Sequence, residues 1–187
     1  MNLKMEKVND IHKYLVDRCK MGDIKAQYSL FKTYNKAIYN IAMRFFNNKM
    51  DAEDIVQETF ILAFTKIGKF KGDSTFGFWL KRIAINKSIS ELRKRKINFE
   101  MIDANNKNYI EVDEDEIDER IKPELIHEAI KGLPTGARTI INLFALEGYK
   151  HKDIARMLGI SESTSKTQYK RAKKLLTGQL KKLENAN

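Results

Sequence analysis

The sequence predicts an all-α protein built as two small helical domains joined by an acidic flexible linker, with a helix-turn-helix near the C-terminal end. Three observations carry that expectation. Apolar residues recur at helical spacing through most of the 187 residues, with only two prolines and nine glycines to interrupt them. The pattern fails over residues 97–122, where acidic residues gather. Finally, Tyr149 to Leu176 reads as two helices around a glycine turn. A hydrophobic content of 42% can supply a core to each domain.

The first domain is expected over residues 1–96. Its first nine residues are polar and predict loose chain, and a helix starts near Asp10 with Ile11, Tyr14, Leu15 and Arg18 in register, ended by Met21, Gly22 and Asp23. A second helix carries the stripe Ala26, Leu30, Tyr34, Ala37, Ile38, Ile41, Ala42 and Phe45, and Asn47 and Asn48 close it. Phe31, Phe45 and Phe60 are read as core. Asp51 is the expected N-cap of a third helix, with Glu53 and Asp54 in its first turn and Gly68 at its end. Ile55, Val56, Thr59, Phe60, Ala63 and Ile67 supply its buried side. That leaves Asp54, Gln57 and Glu58 outside, an acidic and amide patch on a basic chain. Dipole complementation explains an exposed Asp54 more readily than an exposed Gln57.

The loop Lys69 to Ser74 sets Phe70 between two lysines, and Asp73 or Ser74 can cap the next helix, Thr75 to about Lys96. Phe76, Leu80, Ile83, Ala84 and Leu92 form its inner side. Lys81, Arg82, Asn86, Lys87, Arg93, Lys94 and Arg95 are left for the surface. Cations interleaved with aromatics suit a single-stranded nucleic acid, whose backbone they track and whose bases they stack. A buried Trp79 on an ordinary charged helix is the competing explanation.

Residues 97–122 hold nine of the chain's 25 acidic residues against three basic ones, Lys107, Arg120 and Lys122. The flanking parts then share 16 acidic and 32 basic residues. Such a stretch reads as a linker. The second domain follows over residues 123–187. Pro123 suits a first helical turn ahead of Leu125, Ile126, Ala129, Ile130 and Leu133, and Pro134, Thr135 and Gly136 break that helix. A further helix runs from Ala137 to Leu146 and stops at Gly148. In the helix-turn-helix, Ile154, Ala155 and Leu158 repeat at helical spacing, Gly159 turns the chain, Ile160 drops into the angle and Ser161 is the N-cap. Ser163, Thr164, Lys166, Thr167, Lys170, Arg171, Lys173 and Lys174 then put short donors and long cations on one helix, as base-edge and phosphate contacts in a major groove require. A solvated basic helix is the bland alternative.

Lysine and arginine number 35 against 25 acidic residues, a net charge of +10, so the surface should attract a polyanion. No apolar run approaches a bilayer span and the N-terminus lacks a signal-peptide core, which predicts a cytoplasmic protein without membrane insertion. The lone Cys19 excludes an internal disulfide framework. His12, His127 and His151 have no ligand partners at metal spacing. Without a phosphate loop, nucleophile elbow or HExxH there is no sign of catalysis, cofactor or small-molecule substrate.

Together these features resemble the small, extracytoplasmic-function (ECF) type sigma factors of bacterial RNA polymerase. DAEDIVQETFILAF and KFKGDSTFGFWLKRIAINKSISELRKRK are similar to sigma region two, and GLPTGARTIINLFALEGYKHKDIARMLGISESTSKTQYKRAKKLL to region four. The resemblance implies a non-enzymatic initiation factor whose partners are polymerase core, promoter DNA and a regulatory anti-sigma protein. It implies docking on core through Asp54, Gln57 and Glu58. It implies capture of flipped minus-ten bases through Lys66, Phe70 and Asn86, with Trp79 in support and Arg82 and Lys87 alongside. Ser163, Thr164, Lys166, Thr167, Lys170 and Arg171 fall where region four reads the minus-thirty-five element. Ser165 stands where the family usually has an apolar residue, which would loosen that helix or shift its register, and Asp153 replaces the common Glu. An autonomous helix-turn-helix regulator is the runner-up, and an RNA-processing enzyme is disfavoured.

Overall fold

The computed structural model describes residues 12–97, 99 and 123–185, and all regular structure among them is helical. The expected acidic linker lies outside the described residues apart from Ile97 and Phe99, as do the residues before His12. The chain divides into two compact units between Ser90 and Glu91.

In the first unit, helix α1 covers residues 12–20, and a turn at Met21 and Gly22 leads to α2 at Ile24–Phe46. The Asp23 side chain caps α2 by accepting from the backbone N–H groups of Lys25 and Ala26. Its expected stripe is buried at Ala26, Leu30, Ile38, Ile41, Ala42 and Phe45, but Ala37 is exposed. Asn47 ends α2 in the left-handed conformation, φ 51°, which asparagine tolerates. Asn48, rather than Asp51, is the N-cap of α3 at Lys49–Thr65, its side chain accepting from the N–H of Asp51. The helix therefore starts three residues earlier than expected. Asp51 lies in its first turn, and Glu53 and Asp54 fall in the second.

Helix α3 stops at Thr65 rather than Gly68, and a 3-10 turn, Ile67–Lys69, completes the corner. Helix α4 spans Phe76–Lys94. Its cap is neither Asp73 nor Ser74 but Thr75, whose Oγ1 accepts from the N–H of Phe78 at 3.2 Å. The packed rings of Phe31 and Phe60, with centroids 4.9 Å apart, join α2 to α3. Tyr34 and Phe76, 5.5 Å apart, join α2 to α4. Gly77 matters here: a Cβ at this position would lie 2.8 Å from the Tyr34 ring, so only glycine lets α4 approach so closely.

The second unit contains α5 (Pro123–Lys131), α6 (Thr135–Ile141), α7 (His151–Leu158) and α8 (Glu162–Glu184). Thr135 and Gly136 belong to α6 rather than to the break, which is confined to residues 132–134. Instead of running on as α-helix to Leu146, α6 widens into a π-helical turn over Asn142–Leu146. Arg138 is buried and donates to the carbonyls of Lys131 at 3.0 Å and Leu133 at 3.3 Å, satisfying groups at the end of α5. Ala137, Ile140, Leu143, Ile154, Leu158, Ala172 and Leu176 build the core on which α8 lies.

Candidate functional site

Helix α3 is two-faced. Ile55, Val56, Thr59 and Phe60 are buried, whereas Asp54, Gln57 and Glu58 are exposed, and their i, i+3, i+4 spacing puts them on one face. Ile61, 67% exposed, extends that face by one turn. Periodicity treats an isoleucine as core, and its register, four residues after Gln57 and three after Glu58, was the signal that it is not. Glu58 forms an ion pair with Lys87 of α4. The structure thus joins a residue expected to meet polymerase with one expected to meet DNA. Both side chains keep substantial solvent contact, so this pair is weak and exchangeable.

On α4, Arg82 and Asn86 are exposed and aligned at i, i+4. Phe78, 49% exposed, stands four residues before Arg82 on the same line, with the Lys81 ammonium 5.7 Å from its ring centre. Phe78 is not among the residues expected from the sequence, which names Trp79 instead, although its spacing to Arg82 and Asn86 is legible there. Trp79 is half-buried, its ring tilted against Phe70, with centroids 5.2 Å apart, and against Phe76, 5.7 Å apart. Phe70 is also half-buried, and the Lys20 ammonium lies over its ring, 6.0 Å from the ring centre. A cleft of about 450 Å3 opens between α1 and the loop before α4, lined by Lys20, Phe70, Lys71, Ser74 and Thr75 among others. Of the residues expected to capture bases, Phe70 lines it, while Lys66, Trp79 and Asn86 do not. Lys66 is exposed at the end of α3.

In the second unit, Gly159 ends α7 at φ 74°, and Ser161 caps α8 by accepting from the N–H of Thr164 at 2.9 Å. Ser165, Gln168, Ala172, Leu176 and Leu180 are the buried side of α8. Ser163, Lys166, Thr167, Lys170, Arg171 and Lys174 are exposed opposite them. The hydroxyls of Ser163 and Thr164 lie 2.8 Å and 2.7 Å from Ser161 Oγ, so in the free protein both are engaged at the cap. Lys166 pairs with Glu162 at 2.8 Å, which holds that carboxyl below its usual range.

The α8 helix is continuous through Ser165, which is fully buried with its hydroxyl 3.0 Å from His151 Nδ1. Burial, then the nearby Lys166 charge, pull the His151 imidazole below its ordinary range, partly opposed by Glu162. Among the described residues no group of His, Cys, Asp and Glu could hold a metal ion, and no helix is long and apolar enough to cross a membrane.

Residues 30–97 match Sigma-70 region 2 and residues 124–176 match Sigma-70 region 4. Over 180 residues the chain is 32% identical to the RNA polymerase sigma-H factor of Pseudomonas aeruginosa, covering 90% of this chain and 93% of that one. It is also 32% identical to the ECF RNA polymerase sigma factor SigW of Bacillus subtilis, covering 90% and 96%. Among solved structures, the sigma factor RpoE of Bartonella quintana, in complex with the anti-sigma factor NepR, shares the fold with a TM-score of 0.51 and 24% identity, over 84% of this chain and 98% of that one. Two helical units carrying these two regions in this order, with related proteins aligned over nearly their whole length, establish that the chain belongs to the ECF-type sigma factors, which bind RNA polymerase core and direct it to promoter DNA.

Proposed function

We propose that this sigma factor divides its work among three surfaces. The α3 face of Asp54, Gln57 and Glu58, with Ile61 as its apolar end, docks on polymerase core. Carboxylates and an amide around one exposed isoleucine make a small patch suited to a partner that offers cations around an apolar contact. The line Phe78, Arg82 and Asn86, with the cleft beside Phe70, receives unpaired minus-ten bases. Phe78 and Phe70 offer stacking surfaces, Asn86 a donor and an acceptor, and Arg82, Lys66 and Lys71 the charge for phosphates. Lys87 joins them when Glu58 releases it. Helix α8 enters the major groove at the minus-thirty-five element, with Ser163, Thr164, Lys166, Thr167, Lys170 and Arg171 towards base edges and Lys173 and Lys174 towards phosphates.

The observation that carries this reading is the two-faced character of α8: a continuous buried row on one side and a donor-and-cation row on the other. The protein acts without catalysis of its own, in the cytoplasm where polymerase works, with residues 1–96 and 123–187 serving as the two binding domains. An anti-sigma protein belongs among its partners, in line with the NepR complex of the Bartonella relative. Run-off transcription with purified core polymerase on a genomic fragment library tests the reading. Adding the protein should yield defined starts that share sequence at both upstream positions, and a transcript pattern identical to that of core alone would overturn it.

A further inference from the structure

The DNA-reading face of α8 leaves Ser165 unexplained. It points into the unit with no exposed surface. A buried hydroxyl without a partner is costly, and here the partner is a single imidazole nitrogen, His151 Nδ1 at 3.0 Å. The same ring stacks on Phe144 of the π-helical turn, centroids 4.3 Å apart and planes 17° from parallel. It also meets Tyr169 edge-on at 5.7 Å, one turn beyond Ser165. The π turn, the first residue of α7 and the inner side of α8 therefore converge on one histidine.

We propose that His151 and Ser165 are a positioning pair that seats α8 for base reading while the imidazole is neutral, so that binding of the minus-thirty-five element weakens in mild acid. This rests on α8 being the reading helix. A proton on the ring makes both nitrogens donors. If Nδ1 accepts from Ser165 in the neutral state, the added proton reverses that hydrogen bond and the serine must find another acceptor.

The charges that act on the ring are Lys166 and Glu162 on α8, while Lys152 of α7 acts on Glu162 rather than on the ring. The phenol of Tyr169 meets the ring edge-on, and the π turn contributes the neutral Phe144. Glu162 is already paired with Lys166, so it offers a new cation little. The positive end of the α7 dipole opposes the cation as well. Because the folded value is depressed, the stability that neutral His151 contributes to the seating of α8 in the folded unit is complete above the ordinary value of 6.5 and is lost as pH falls below it.

The test uses the full chain bound to core polymerase and labelled DNA fragments that this holoenzyme selects from random upstream sequence at about pH 7.5. Between about pH 7.5 and about pH 5.5, wild-type affinity should fall ~3-fold or more beyond any loss on fragments with the upstream element scrambled. His151→Gln, which is uncharged and still hydrogen-bonds, should flatten that extra loss. Equal pH slopes for the two proteins overturn the proposal. Lys170→Ala separates the two levels. If it leaves upstream binding intact, α8 is not the reading helix and the positioning role falls with it, whereas weakened binding combined with equal slopes sinks the positioning role alone. Should His151→Gln fail to fold, the ring titration followed by NMR decides: Ser165→Ala must move the His151 midpoint, and an unmoved midpoint overturns the proposal.

Discussion

Lys170 and Arg171 stand one turn after Lys166 and Thr167 on the exposed side of α8, far enough along to meet either a base edge or the flanking backbone. The two roles separate energetically. Replacing either with alanine should weaken holoenzyme binding to a selected promoter by ~1–3 kcal/mol and relax preference at one upstream position, if that side chain makes a bidentate base contact. A competition assay across single-base variants of the site distinguishes this from equal weakening on every sequence, the mark of a phosphate contact. Ser163 and Thr164 behave differently because their hydroxyls are engaged with Ser161 Oγ in the free protein. Any base contact they make must be exchanged for that cap interaction, so their truncation should change affinity less than truncation of Lys170.

At the scale of single elements, α3 depends on a cap that is easily misassigned. Asn47 terminates α2 and Asn48 starts α3, so one Asn-Asn pair serves two helices, and the connection has no slack. Asn48→Ala removes the acceptor for the Asp51 N–H and should destabilise the first unit by about 1 kcal/mol, read as an earlier midpoint in urea. Asp51→Ala should cost less than Asn48→Ala, and the opposite order would return the cap to Asp51. The stripes on α2, α3 and α8 were legible because one amphipathic face is all that periodicity needs. The Gly159 turn and the Ser161 cap were legible because only a few residue types suit those positions. The fine boundaries were not, since Asn48, Asp51, Asp73, Ser74 and Thr75 all have capping side chains, and local sequence does not rank them. Thr135 and Gly136 looked like breakers, yet Pro134 directly before them is compatible with starting a helix. The exposure of Ile61 and Phe78 is legible only in their spacing to Gln57, Glu58, Arg82 and Asn86, because hydrophobicity alone argues for the core. The His151–Ser165 contact joins residues 14 apart on different helices, which no local pattern reports.

The whole molecule is a net cation of +10, and the proposed division of surfaces gives polymerase core an acidic face and promoter DNA the basic ones. Its promoter affinity in the holoenzyme should therefore fall steeply with salt, by about 0.9 in the logarithmic slope for each phosphate neutralised. Lys173→Gln should lower that slope by about 1 without altering sequence preference, as a filter-binding series would read. Association with core should respond to different residues, because α3 belongs to the first unit and α8 to the second. The most direct measurement is the affinity of fluorescently labelled full chain for purified core polymerase, comparing wild type, the double variant Asp54→Ala/Gln57→Ala, and Lys170→Ala. Core binding should be at least ~10-fold weaker for the α3 double variant, with Lys170→Ala close to wild type. Wild-type core affinity in the double variant would rule out docking through α3.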